Sequence, residues 1–112
     1  IPDQPALFRF PYGRCDAAAL AAVAEAGLPV IEWSIVTGDP AKGQGANAIA
    51  RVILDRVRPG AIVVAHANGR GWHTAEALRQ VVPELRRRGY RFVTVSELLA
   101  SGEPVIADGC GE

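Results

Sequence analysis

The chain has 112 residues and a formal net charge of zero, with twelve basic and twelve acidic side chains. That is enough length for one small domain with a real core, and the charge balance gives no electrostatic footprint for nucleic acid or an anionic membrane. No apolar stretch approaches membrane-spanning length, and no charged-then-apolar leader is present.

The chain contains no methionine, so Ile1 is not a translational start and a processed or partial polypeptide is expected. Two cysteines, Cys15 and Cys110, are too few for a disulfide framework, and neither a bridge nor a metal site is expected from them.

A strand-then-helix pattern repeats along the chain. Ala6 to Phe10 is a short apolar run closed by Pro11, Tyr12 and Gly13, which predicts a strand running into a turn. Asp16 is the expected N-cap of an alanine-rich helix that places Leu20, Val23 and Ala24 on one face and stops at Gly27. Val30 to Val36 is rich in β-branched residues and ends at Thr37-Gly38-Asp39-Pro40, a second strand. A Gly-rich connection leads to a helix with Ile49, Val52, Ile53 and Val57 as its buried stripe, ended by Pro59-Gly60.

Ala61 to Ala65 is a continuous apolar run, as in strands covered on both faces. Thr74 is the expected N-cap of a helix burying Leu78, Val81, Val82 and Leu85, with Arg86-Arg87-Arg88 at its C-terminal end, where the helix dipole favours cations. Arg91 to Val95 predicts a fourth strand, and Ser96 a cap for a short helix through Leu99. Residues 102–112 are expected to be a weakly ordered tail beyond a 1–101 domain. Four strands alternating with helices predict a parallel α/β architecture, too short to close a barrel. The chain opens almost directly on a strand, which suits the second half of a domain.

In parallel α/β folds, ligands sit at the carboxyl ends of the strands. Arg9, Phe10, Pro11 and Tyr12 follow the first strand, Thr37 and Asp39 the second, and His66, Asn68, Arg70, Trp72 and His73 the third. The polar and aromatic side chains are therefore expected at one sheet edge. On spacing alone Asp39-Pro40 reads as an ordinary turn pair, Trp33 on a strand as core packing, and a lone His at a strand end more often as a surface or hydrogen-bonded core residue than a catalyst. Arg9 is expected to be a partly buried guanidinium in need of a carboxylate. The Gly-rich segments lack the register of a phosphate-binding loop, and no acidic cluster of a response-regulator type follows the first strand.

Several of these segments, in order, resemble the motifs of the polysaccharide deacetylases, carbohydrate esterase family four. Arg9-Phe10-Pro11-Tyr12-Gly13 resembles the family's third motif, Val30 to Asp39 with Trp33 the fourth, and Ile62 to His66 the fifth. The segment ending GYRFVTVSELL resembles its last helix and strand. The first and second motifs, which supply the general base and the metal ligands, are absent, so the resemblance is to the C-terminal half of that domain, a partial (β/α) barrel. Pro40 and Ala67 stand where the family commonly has Trp and Asp.

The resemblance implies hydrolysis of N- or O-acetyl groups on a cell-envelope or chitin-like glycan, with a divalent ion, usually zinc, in the complete domain and none bound at the catalytic site of this piece alone. It implies His66 as general acid, Asp39 as its partner, Arg9 as orienter of a general base in the missing half, and the Tyr12 N–H as an oxyanion donor. Phe10, Pro11, Trp33, Val64, Asn68 and Trp72 are the implied substrate-lining residues. The expected partners are the glycan and either the missing half or a second copy, and the family habit implies a periplasmic, cell-surface or secreted setting. The alternative is a non-catalytic glycan-binding module on the same fold.

Overall fold

The computed structural model describes residues 7–102. They fall into two compact units, one whose described core is residues 7–32 and one spanning Trp33–Ser101.

In the first unit, Phe8 forms a single parallel bridge with Val30, its N–H donating to Pro29 O at 2.9 Å and its O accepting from Ile31 N at 2.7 Å. Phe8 and Phe10 pack edge to face with centroids 5.1 Å apart. Helix α1 spans Ala17–Glu25. The Asp16 carboxylate caps it, accepting from Ala19 N at 2.7 Å and satisfying one of the donors a helix start leaves open. At the other end Gly27 adopts φ 75°, and Leu28 N returns to Val23 O, a closure that needs a residue in the left-handed region. Leu20 and Val23 are half-buried and Ala24 is exposed. Cys15 is disulfide-bonded, against the expectation from cysteine count; Cys110 lies outside the described residues.

The second unit is built on β1 (Ile35–Val36), α2 (Ala46–Arg56), β2 (Val63–Val64), α3 (Thr74–Arg87) and α4 (Val95–Ala100). The strands pair in parallel, Ile35 opposite Val63 and Val36 opposite Val64, with α2 as the connection that parallel neighbours require. The core lies between α2 and α3, where Ile49, Ala50 and Ile53 meet Ala77, Val81 and Leu85. Ile49 and Val81 are fully buried, each worth roughly 1.5–3 kcal/mol relative to exposure. Around this seam Gln80 Nε2 donates to Asn47 Oδ1 at 3.0 Å. Arg88 Nη1 donates to Leu54 O at 2.9 Å, filling a carbonyl that the end of α2 leaves open.

The alternation of strands and helices is α/β, in keeping with part of a (β/α) barrel, but two paired strands form among the described residues, not four. The expected first strand contributes only the Phe8 bridge, and the second shrinks to Ile35–Val36. The expected fourth does not form: residues 91–94 lie exposed, with Phe92 half in solvent, and helix α4 begins at Val95. A strand is defined by its ladder, so an alternating apolar run without a pairing neighbour stays an extended segment. Helix α4 is capped by Thr94, not Ser96, through a capping box with Glu97. On α3, Leu78 faces solvent and Ala77 takes the buried position.

Candidate functional site

The two strands of the second unit set two loops side by side. Beyond β1 come Thr37, Gly38 and Asp39; beyond β2 come Ala65 and His66. Thr37 and Asp39 are both buried, and Thr37 ties this edge together by donating to Val64 O (3.5 Å) and accepting from Asp39 N (3.2 Å). Gly38 turns the chain at φ 78°, with the Gln44 amide packed where a Cβ would point and donating to Thr37 O at 3.0 Å.

Asp39 is the centre of the arrangement. Its Oδ2 accepts from His66 N at 2.6 Å and from Thr74 Oγ1 at 2.6 Å, and its Oδ1 lies 2.9 Å from His66 Nδ1. Burial pushes the Asp39 carboxyl up, but the hydrogen bonds from Thr74, the His66 backbone and ring, and Thr37 together outweigh it and hold the group below its ordinary value. An ionised carboxylate can only accept, so Nδ1 of His66 carries the proton and Nε2 is the nitrogen left for chemistry. The His66 side chain is about one-third exposed while Asp39 is almost wholly enclosed, the arrangement a proton-transfer residue and its orienting partner require.

The loop after His66 is held equally tightly. Arg70 N donates to Asn68 Oδ1 at 2.9 Å and Gly71 N to Asn68 O at 3.0 Å. Gly71 sits so close to the His66 backbone that a Cβ there would fall 2.1 Å from His66 O. Trp72 follows, half-exposed, with Lys42 Nζ 4.8 Å from its ring centroid. Thr74 does not cap α3, as the sequence suggested; it is the first helical residue after His73, and its hydroxyl goes to Asp39. Trp33 and Val64 are half-buried.

The first unit carries the other expected residues on one turn. Phe10 is buried, and Pro11–Gly13 form a single 3₁₀ turn closed by Gly13 N to Phe10 O and Arg14 N to Pro11 O. Neither bond uses the Tyr12 N–H. Tyr12 has φ 58°, a left-handed conformation that costs a non-glycine residue about 1–2 kcal/mol. Such strain concentrates at functional positions, and its ring stands 85 % exposed. Arg9 is exposed, not partly buried, and its guanidinium donates to Ile31 O (3.0 Å) and Glu32 O (3.2 Å), so main-chain carbonyls hold it in place.

Sequence reasoning placed Thr37 at the sheet edge but gave it no role, and it passed over Gly71 and the cross-link from Thr74. A threonine at a helix start reads as a cap, and nothing local says that its hydroxyl reaches a carboxylate 35 residues away. Among the described residues no group of three or more His, Cys, Asp or Glu side chains is placed to hold a metal ion, so they do not fit the divalent ion the resemblance implies.

No protein-family model matches the chain. It is 38% identical over 99 residues to a peptidoglycan-N-acetylglucosamine deacetylase of Bacillus cereus, covering 86% of this chain and 46% of that protein. To a chitooligosaccharide deacetylase of Bradyrhizobium it is 34% identical, covering 84% and 48%. Among solved structures it is similar to a peptidoglycan N-acetylglucosamine deacetylase in complex with a hydroxamate-type benzamide (TM-score 0.78, 26% identity, 88% of this chain and 47% of that one). It is also similar to a family 4 acetyl xylan esterase from Clostridium thermocellum in complex with a cobalt ion (TM-score 0.75, 27% identity, 88% and 47%). The chain spans about half the length of the first of these curated relatives. These relatives and neighbours all belong to carbohydrate esterase family four, the polysaccharide deacetylases, and this chain is similar to part of such a protein.

Proposed function

We propose that residues 1–101 are the C-terminal half of a polysaccharide deacetylase domain that releases acetyl groups from an N- or O-acetylated glycan of a cell envelope or a chitin-like polymer. The observation that carries this reading is the doubly anchored Asp39–His66 pair, a buried carboxylate that fixes both the backbone and the ring of an accessible histidine. In this role His66 Nε2 delivers a proton to the leaving amine or alcohol, and Asp39 orients the ring through Nδ1. Arg9 would orient a general base supplied by the other half, and the Tyr12 N–H would bind the oxyanion. Phe10, Pro11, Trp33, Val64, Asn68 and Trp72 would line the glycan's path. The metal belongs, in this reading, to the half that this chain does not include. An extracytoplasmic setting follows from a substrate of that kind.

The test is acetate release from N-acetylated chito-oligosaccharides and from peptidoglycan, by the complete domain carrying this chain and by the 112 residues alone. The reading expects release from the complete domain, a loss of about 100-fold or more in His66→Gln, and no release from the chain by itself. Glycan binding without release from the complete domain would replace it with the binding-module reading.

A further inference from the structure

The two loops that carry Asp39 and His66 are joined on two sides by different chemistry. Among the described residues, the side-chain hydrogen bonds from the loop after β1 to residues 64–74 all end on Thr37 or Asp39, both buried. On the solvent side the same loops meet through Lys42 and Trp72, both exposed, with Lys42 Nζ 4.8 Å from the indole centroid. The ion pairs among the described residues do not include Lys42, so its ammonium is committed to the indole face.

These contacts close a circuit through His66. From Asp39 the chain runs to Lys42, the ammonium crosses to Trp72, and the chain returns through residues 67–71 to His66, whose Nδ1 lies 2.9 Å from Asp39 Oδ1. Both arcs are braced. The Lys42 turn is closed by Ala41 N to Gly38 O and Gln44 N to Ala41 O, and Gln44 Nε2 fastens it to Thr37 O. The other arc is closed through Asn68, and Gly71 is seated on the His66 carbonyl. Trp72 is the next residue, so whatever holds its indole also holds the glycine that presses on His66. The imidazole itself turns about a broad torsion, and one bond at Nδ1 leaves it room to rock unless its main chain stays in place.

We propose that Lys42 is a positioning residue for His66: its ammonium, seated on Trp72, latches the loop that bears on the His66 carbonyl and so keeps the imidazole against Asp39. Its consequence for turnover rests on the proton-transfer reading of His66, whereas the latch itself is measured without turnover.

The experiment follows two NMR signals in the complete domain carrying this chain, the Trp72 indole N–H resonance and the exchange of the His66 Nδ1 proton with water. Lys42→Met keeps an apolar stem and removes the charge. It should shift the indole signal and speed the exchange about two- to fivefold, the range that an exposed cation–π contact supplies. Lys42→Arg should restore both, because a guanidinium also stacks on aromatic faces. Trp72→Leu should match Lys42→Met, and the double variant should exchange no faster than either, since all three lose the same contact. In acetate release, Lys42→Met should lower kcat by a similar factor with KM unchanged, as expected of a misdirected proton donor. Wild-type exchange in Lys42→Met, additive effects of the two single substitutions, no rescue by arginine, or faster exchange with an unchanged kcat would each overturn the proposal. A complete domain that releases no acetate at all would sink the proton-transfer reading, and the exchange rates would then decide the latch alone.

Discussion

Thr74 opens helix α3 with its hydroxyl 2.6 Å from Asp39 Oδ2, so a helix start is tied to the end of a β-strand through one buried carboxylate oxygen. That oxygen also accepts the His66 N–H, and its twin holds the His66 ring. Three elements of the second unit therefore meet at one side chain. Removing any donor leaves a buried charge short of a partner, which costs more than the bond itself contributes.

Thr74→Val keeps the shape and removes the hydroxyl. We expect a loss of about 1–3 kcal/mol in the urea unfolding free energy, with Thr74→Ser recovering most of it. The His66 ring reports the local effect: the Nδ1 proton resonance, sharp and downfield while Asp39 holds it, should broaden in Thr74→Val and return in Thr74→Ser. An unchanged Nδ1 signal in Thr74→Val would mean that the hydroxyl does not help to set the carboxylate.

Asp39 also fixes how stability depends on pH. Its folded-state value lies below the ordinary 3.8, so the unfolded chain binds its proton first as pH falls. The stabilisation is complete above that ordinary value and is lost as pH drops through the folded-state value. Glu84, held down to about 2 by hydrogen bonds from Arg87 and Arg88, titrates in the same direction. That cluster is open to solvent and screened by salt, whereas the Asp39 site is enclosed. Urea midpoints between pH 5 and 2 in 0.5 M salt should therefore still fall in the wild type and fall less steeply in Asp39→Asn. Parallel slopes would remove Asp39 as the source.

The helix seam separates what patterning can read from what it cannot. Ile49 and Ile53 belong to a 3.6-residue stripe and are buried as that period requires. On α3 the same reading chooses Leu78, yet the helix is rotated so that Ala77 packs with no exposure and Leu78 is 40 % exposed. A small residue at the contact lets α2 and α3 approach closely, and periodicity weighted by side-chain size misses it. Ile49→Ala should cost about 2–5 kcal/mol by chemical denaturation, and Leu78→Ala less than about 1.

The Asp16 cap and the Gly27 stop were legible locally, whereas the caps expected at Thr74 and Ser96 fall instead at His73 and Thr94. Asp16 and Gly27 act through their own backbone neighbourhood, so their chemistry is written locally. Strands were not: Arg91 to Thr94 has the composition of one, and only a neighbouring ladder could make it one. At the site, position gathered His66 and Asp39 at one sheet edge, but spacing alone favoured a turn for Asp39-Pro40, and the roles of both came from the family resemblance. The hydroxyl bridge from Thr74 depends on a tertiary contact that no spacing records, and the left-handed Tyr12 on a local turn geometry that its residue type does not announce.

Gly71 provides the sharpest test of the site's packing. A Cβ at this position would meet His66 O at 2.1 Å and Thr74 Oγ1 at 2.8 Å, while one at Gly69, two residues earlier on the same loop, would meet nothing within 4 Å. The obstacle at Gly71 is backbone and a hydroxyl already committed to Asp39, so neither can yield without moving the carboxylate. Gly71→Ala should therefore cost about 1–3 kcal/mol and disturb the His66 ring resonances, and Gly69→Ala should leave both nearly unchanged. Melting curves and ring spectra of the two variants would show it. Equal behaviour of the pair would mean that the loop is not packed against His66 in solution, and that the histidine is oriented by Asp39 alone.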